Sequence, residues 1–521
     1  MKRLLLSCLF ALSLIGVGRA QDALLSILPA LGGSFGETAT AVEQMGSSGD
    51  PRSLIILKAL QDGKLLRTPE GRLLIAKDNG AVDALSGAPV SPVEGDAVRL
   101  NNRVRAALRS ALGQLQLLSP DATERAAAAD AVFRSASAGN IRLIGTALSR
   151  ETDPTIKEKL GLALAASQLA GSDAEAKRQA IATLGRAGST EAREILLKTK
   201  AADPSLSTPI DAALADIDQS LAFRRAAETL FQGLSLGSVL LLAALGLAIT
   251  FGVMGVINMA HGEFVMLGAY ATFVVQEACR GTPFAPWALP LAIPAAFLIT
   301  AAIGAVLERG FIRHLYGRPL ETLLMTFGVG MILQQAVRLG FGAQNREVIS
   351  PPWMQGTLTL PGGIAVTQNR LWIILFGVMV FLLVVAAIRF TRLGLEMRAV
   401  VQNRRIAATM GIRTGRVDAL TFAFGSGLAG LAGVALSQID NVSPNLGTGY
   451  IIDSFMVVVF GGVGSLFGTL VGAVTLGIIN KVLEPYAGAV LAKVFVLVAI
   501  MLFIQRRPRG LFALKGRAAE A

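Results

Sequence analysis

Asn258, His261 and Glu263 lie within six residues of one another in a stretch that is otherwise apolar. Polar and ionisable groups set among hydrocarbon are costly unless they face a partner or water. Two assignments fit them. In one, Asn258 and His261 line a path and hydrogen-bond a small polar solute, while Glu263 holds the loop or an imidazole nitrogen. In the other, Asn258 caps one helix, Glu263 stabilises the N-terminus of the next, and His261 is a satisfied turn residue. A second interruption, Gly461-Gly462-Val463-Gly464-Ser465-Leu466-Phe467-Gly468, lies between Met456 to Phe460 and an apolar run reaching Ile479. Glycine-rich turns cradle phosphates when Gly-Lys-Ser or Gly-Lys-Thr follows, and here neither does. Gly461, Gly462 and Gly464 therefore either permit close helix packing or expose backbone carbonyls to a path. Asp453 stands near the other end of that segment, as an interfacial residue or a gate.

The elements that must position these groups read as membrane segments. Apolar stretches run over 234 to 257, 263 to 278, 287 to 307, 320 to 341, 371 to 389, 417 to 438, 451 to 482 and 488 to 505. Most are long enough to cross a bilayer. Three basic loops separate them: Arg309, Arg313 and Arg318; Arg389, Arg392, Arg398, Arg404, Arg405, Arg413 and Arg416; and Arg506, Arg507, Arg509, Lys515 and Arg517. Arginine gathered this way marks the cytoplasmic face. Counting passes from an outer start at residue 230 returns the chain inside at each of the three loops. Each interruption is either two crossings joined by a tight turn or a re-entrant pair meeting in the membrane. Paired interruptions in the two halves of a transporter point to the substrate path, because irregular backbone persists in a bilayer only where protein or water satisfies it.

The chain is 53% hydrophobic and 16% charged, too apolar for a soluble globule of 521 residues. Its net charge of +12 resembles that of a nucleic-acid binder, but the Lys and Arg sit beside the ends of apolar segments, which argues against such a partner. Residues 1–20 read as a signal peptide: Lys2 and Arg3, the apolar run from Leu4 to Val17, and small residues at Gly18-Arg19-Ala20. Cys8 offers a weak lipoprotein motif. With the signal removed only Cys279 remains, so no disulfide or cysteine metal site forms within the chain.

Residues 21–225 are alanine-rich, charged throughout and without a membrane-length apolar run. They predict a periplasmic helical domain. The stretches 41–50, 131–140 and 181–190 each end a helix in small residues and glycine before another amphipathic helix begins, a loose resemblance to HEAT-type repeats. Between Gly63 and Val98, the turn Arg67-Thr68-Pro69-Glu70-Gly71-Arg72 between apolar pairs predicts a β-hairpin insertion. This domain is either a packed spacer or a docking module. The fold class expected is all-α: a polytopic α-helical membrane domain over 230–512, preceded by a soluble HEAT-like helical domain with that small insertion.

Gly233-Leu234-Ser235-Leu236-Gly237-Ser238, Asn258-Met259-Ala260-His261-Gly262-Glu263, Leu393-Gly394-Leu395-Glu396-Met397-Arg398-Ala399, Gly427-Leu428-Ala429-Gly430-Leu431-Ala432-Gly433 and Phe460-Gly461-Gly462-Val463-Gly464-Ser465 occur in that order. Together they resemble the permease subunits of ABC importers for branched-chain amino acids and urea, over about residues 230–510. Met259 replaces an expected phenylalanine. A secreted extension of about 200 residues resembles the urea branch of that family.

The resemblance implies a non-enzymatic permease of the bacterial inner (plasma) membrane, with the C-terminus cytoplasmic and no cofactor of its own. ATP would be used by cytoplasmic ATPase subunits. A second permease subunit, forming a heterodimer, a periplasmic solute-binding protein and the lipid bilayer would be its other partners. Arg398, Arg404 and Arg405 alternate with Ala399, Val400, Ile406, Ala407 and Met410 as a short amphipathic helix. The resemblance makes this the ATPase-coupling segment and carries over Glu396, Arg398, Asn403, Ala407 and Gly411. An orientation-setting loop on anionic lipid is the alternative. Urea is the solute expected; branched-chain amino acids or short amides are the alternative. An ATP-independent channel and a membrane-tethered interaction protein are readings of other classes.

Overall fold

A computed structural model describes residues 26–48, 51–77, 80–90, 95–360 and 362–512. The signal-peptide segment, Lys515 and Arg517 lie outside the described residues. The chain divides into two compact units, Met1–Ala222 and Phe223–Ala521.

In the first unit α1 (Phe35–Ser48) and α2 (Pro51–Gln61) precede a small sheet, followed by α3 (Asn102–Leu115), α4 (Ala122–Arg134), α5 (Ile141–Arg150), α6 (Pro154–Leu169), α7 (Ala174–Ala187) and α8 (Thr190–Ala202). Helices end inside each of the three stretches singled out in the sequence, at Ser48, Arg134 and Ala187. Ser189 N-caps the helix after Ala187, and aspartates cap α4, α6 and α7. Asp121 accepts from Thr123 N, Asp153 from Thr155 N and Asp173 from Glu175 N, satisfying donors that each helix start leaves free. Neighbours in sequence are neighbours in space, with α4 and α5 on α6, α6 on α7 and α7 on α8.

The hairpin expected around Arg67 to Arg72 is present, pairing β1 (Leu65–Arg67) with β2 (Leu73–Lys77) in the register Leu66 to Leu74. It belongs to a larger object, however. With β3 (Gly80–Asp83), β4 (Pro89–Val90) and β5 (Asp96–Ala97) it forms a five-stranded antiparallel sheet in the order β4-β3-β2-β1-β5. The added strands are two to four residues long, too short to show an alternating pattern.

Arg125 and Glu151 tie α4 to the loop before α6. The guanidinium donates from Nε at 2.7 Å and from a terminal nitrogen at 3.1 Å, while Glu151 also accepts from Thr152 N and Asp153 N. Those bonds, the Arg125 bond foremost, hold its carboxyl down to about 2 from an ordinary 4.5.

The second unit contains α9 (Ser207–Met254, whose C-terminal part it holds), α10 (His261–Cys279), α11 (Ala288–Gly310), α12 (Pro319–Phe341), β6 (Thr357–Leu360), β7 (Ile364–Thr367), α13 (Gln368–Phe390), α14 (Arg392–Gln402), α15 (Arg404–Thr409), α16 (Thr414–Leu436), α17 (Leu446–Gly461) and α18 (Leu466–Arg506). Among the described residues six helices are long and apolar enough to cross a membrane: α9, α11, α12, α13, α16 and α18. α18 is two limbs, broken at Gly488 where φ is 77°. The apolar parts of α9 and α16 are mostly buried, and with α10 and α17 they form the core; α11, α12, α13 and α18 leave most of their apolar surface outward.

Small residues set the spacing of that core. A Cβ at Gly268 would collide with the Gly430 backbone, and one at Gly433 with the Val265 carbonyl, so α10 and α16 touch main chain to main chain. Between apolar helices in lipid such contact supplies the van der Waals attraction that water does not.

The Glu151 shift has a direction. A depressed folded-state pKa contributes stability that is complete above 4.5 and is lost as pH falls toward about 2. Hydrogen exchange, corrected for intrinsic rates, should show protection in α4 and α6 falling across that window, and Glu151→Gln should flatten the fall. An unchanged pH profile in Glu151→Gln would remove this pair as the cause.

Candidate functional site

The first interruption begins where α9 ends at Met254 and Gly255 turns the chain with φ at 68°. Gly252 packs on Gly464, and a Cβ there would lie 2.7 Å from the Gly464 Cα. Ten residues later Gly262 packs on Gly447. Those two contacts flank opposite ends of α17, whose sixteen residues measure roughly 24 Å. The stretch from Gly255 to Ala260 therefore runs unwound along the core, and α10 begins deep inside the bundle. Its start lies halfway along α12: Met259 N donates to Thr326 Oγ1 at 3.1 Å, and Gly330 packs beside Glu263 and Ala260.

Asn258 is 0% and His261 1% exposed, and neither lines any of the cavities described below. Asn258 Oδ1 accepts from Ala260 N at 3.0 Å, and His261 Nε2 pairs with the Ala243 carbonyl at 2.8 Å, which makes Nε2 the protonated nitrogen. These are the bonds of a turn. Asn258 Nδ2 and His261 Nδ1 remain without protein partners. Glu263, in the first turn of α10, is half-buried.

The second interruption is Gly462 (φ 105°) to Ser465, whose hydroxyl accepts from Gly468 N at 3.1 Å and caps α18. The C-terminal segment closes over it, with Leu511 N on the Phe460 carbonyl at 2.9 Å and Phe512 N on that of Gly461 at 3.1 Å. Gly461 faces Gly468 at a separation that leaves no room for a side chain. The two interruptions thus meet, through Gly252 and Gly464, at one end of the bundle. All three basic loops reach that end. Arg389 lines a cavity with Leu466 and Phe467, Phe467 packs on Phe512, and Tyr316 stacks with Arg404.

Asp453, two turns into α17, is buried and paired with Lys493 at 2.8 Å, whose ammonium lies 5.6 Å from the Tyr450 ring centroid. Lys493 was legible as the one charge inside the apolar segment 488–505. At the same far end two polar cavities of about 450 and 320 Å³ share Asp440 and Asn441. Their amides come from connecting loops and helix ends, which carry no periodicity to reveal them. Trp287, Trp353 and Trp372 also lie toward this end, as an aromatic belt would.

The basic segment forms α14 and α15, with Asn403 Oδ1 capping α15 at Ile406 N and Gly411 turning the chain with φ at 86°. Ala407 is buried, while Arg398, Arg405 and Gly411 are exposed and Glu396 half-buried. Arg404 differs from its neighbours. Its guanidinium forks onto the fully buried Asp418 at the start of α16 and lies 4.9 Å from the Tyr316 ring centroid. Burial, then the Asp418 and Glu308 charges, push the Tyr316 phenol up, so its hydroxyl stays the donor to Glu308 at 3.0 Å. Sequence reasoning placed Arg404 in a docking face; its head group instead anchors the segment inward. Ile406 and Met410, at 60% and 78% exposure, are the apolar groups left outward.

Arg404→Ala should leave the Asp418 carboxylate buried without its cation. The pair is buried on one side and half-open on the other, which puts the cost at about 1–3 kcal/mol, between the surface and interior cases. A lowered Tm for Arg404→Ala, recovered in part by adding Asp418→Asn, is expected in detergent. Additive losses in the two single variants would show that the pair is not coupled.

With this geometry in view, the relatives can be placed. The LivH permease of the high-affinity branched-chain amino acid transport system of Salmonella typhimurium is 31% identical over 294 residues, covering 54% of this chain and 94% of that protein. The BraD permease of Pseudomonas aeruginosa is 29% identical over 292 residues, with 54% and 94% coverage. The ribose import permease RbsC of Escherichia coli is 27% identical over 291 residues, covering 52% and 84%. No solved structure matches the chain. The family described as the branched-chain amino acid transport system permease component matches residues 229–505, which include both interruptions, the α14–α15 segment and the Asp453–Lys493 pair, and the chain belongs to that family.

Proposed function

We propose that this chain is a non-enzymatic permease subunit of an ATP-driven importer and that its solute is urea. Family membership over residues 229–505 carries the first part. ATPase subunits, a solute-binding protein and a second permease, separate or a copy, complete the transporter. The arginine-bearing end faces the cytoplasm, where Arg405, Ile406 and Met410 dock the ATPase; the first unit and the polar cavities face the periplasm. The path follows α17, from Asp453 to the glycine break at Gly461 to Gly464, with Asn258, His261 and Glu263 holding the unwound strand beside it.

Urea is favoured by the resemblance of the long N-terminal extension to the urea branch of the family, and by a pathway end rich in amides. A neutral planar solute needs only donors and acceptors. Branched-chain amino acids are the second reading, favoured by the LivH and BraD relatives.

Radiolabelled uptake in cells lacking this gene separates the two: lost urea uptake with intact leucine uptake is expected, and the reverse pattern would replace urea with amino acids. Docking is tested independently. Arg405→Ala, Ile406→Ser and Met410→Ser together should abolish co-purification of the ATPase while the protein remains in the membrane. Unchanged co-purification would favour an ATP-independent channel.

A further inference from the structure

We propose that the amide-lined basin at the end opposite the arginine loops is an entry site selective for small neutral diamides, urea first among them. This inference rests on the transporter reading and adds a site to it. The basin consists of the two polar cavities that meet at Asp440 and Asn441. Six amide side chains line it: Asn345, Gln355, Asn369, Gln438, Asn441 and Asn445. Each amide offers both a donor and an acceptor, which matches a solute that carries N–H groups and a carbonyl in one plane.

Two of these amides, Gln438 and Asn445, keep unused bonding capacity. Gln438 is 93% buried and its Oε1 has no protein partner, which is costly unless something donates to it. Asn445 Oδ1 is already taken by Gln334 at 2.9 Å and Arg338 at 2.8 Å, which fixes the amide and leaves its N–H₂ as a donor. The basin therefore offers an oriented donor to an entering solute, with an unpaired acceptor buried in its wall.

Charge in the basin disfavours a zwitterion. Lys493 is its cation, and Asp453 already neutralises it at 2.8 Å. Glu347 and Asp440 would then face an α-carboxylate, with no unpaired cation among the described residues that line the basin. An aliphatic side chain also lacks an enclosed slot. The apolar crevice beyond Gln438 opens beside Leu375 and Met379, which lie on the outward face.

The test places one cysteine in the basin of the assembled transporter. Asn441→Cys in a Cys279→Ser background is labelled from the outer face with a membrane-impermeant thiol reagent. Urea at about four times its Kd should slow labelling by about five-fold, because the unliganded fraction falls as 1/(1 + L/Kd) with free urea concentration L, and leucine should not. Equal protection by leucine, or none by urea, would overturn the proposal. Asn441→Leu gives a second readout: urea uptake should fall while ATPase co-purification persists, and unchanged uptake would also overturn it. Absence of urea uptake by the unaltered transporter would instead sink the functional reading, so the two failures are distinguishable.

Discussion

Everything in the membrane unit is arranged around one requirement: six residues of non-helical backbone, Gly255 to Ala260, run through the interior of a bundle built for hydrocarbon. Lipid offers no hydrogen bonds, so each exposed N–H or carbonyl must find a protein partner. Thr326 takes the amide of Met259, Asn258 that of Ala260, and His261 anchors the restarted helix to Ala243. Thr326 comes from α12, Asn258 and His261 from the turn itself, and each is nearly or wholly buried. Their polarity is the consequence of the unwound strand, which explains why polar groups that looked like a solute site in the sequence are mostly engaged in holding main chain.

The same strand determines where glycine is needed. To pass between α9 and α17 it must have neighbours without side chains, and Gly252 on Gly464 and Gly262 on Gly447 provide them at the two ends of its course. A methyl group at Gly252, Gly262 or Gly447 would meet backbone, which cannot rotate away as a side chain can. The two interruptions in the chain are therefore one feature of the fold. Each fits because the other is there.

The sequence made the apolar segments, the basic loops and both interruptions legible, because hydropathy and arginine clustering are local signals. It left open whether the interruptions were re-entrant, since that depends on which glycines touch across 200 residues of chain. The Asp418 partner of Arg404 was hidden for a related reason: an amphipathic alternation shows that a helix has two faces but not that Asp418, fourteen residues on, captures one arginine from the polar face. The far-end cavities were invisible, as their amides are scattered over loops. The β-hairpin of the first unit was found from its turn, whereas the three short strands that complete its sheet carry almost no pattern.

α16 joins the two ends of this arrangement. Asp418 at its base holds Arg404 and with it the segment proposed to meet the ATPase; further along, Gly425 packs on Gly246, Gly430 on Gly268 and Gly433 on Val265. Main-chain contact of that kind leaves little slack, because protein interiors are close-packed and shift between discrete arrangements more readily than they deform. α16 thus connects the Arg404 anchor through one tightly packed element to α9 and α10, the two helices that bracket the unwound strand. Soft side-chain packing along α16 would absorb a displacement at Arg404 before it reached residue 255. The glycines of α16 are thus to the arginine end what Gly252 and Gly262 are to the strand: contacts with no side chain to yield.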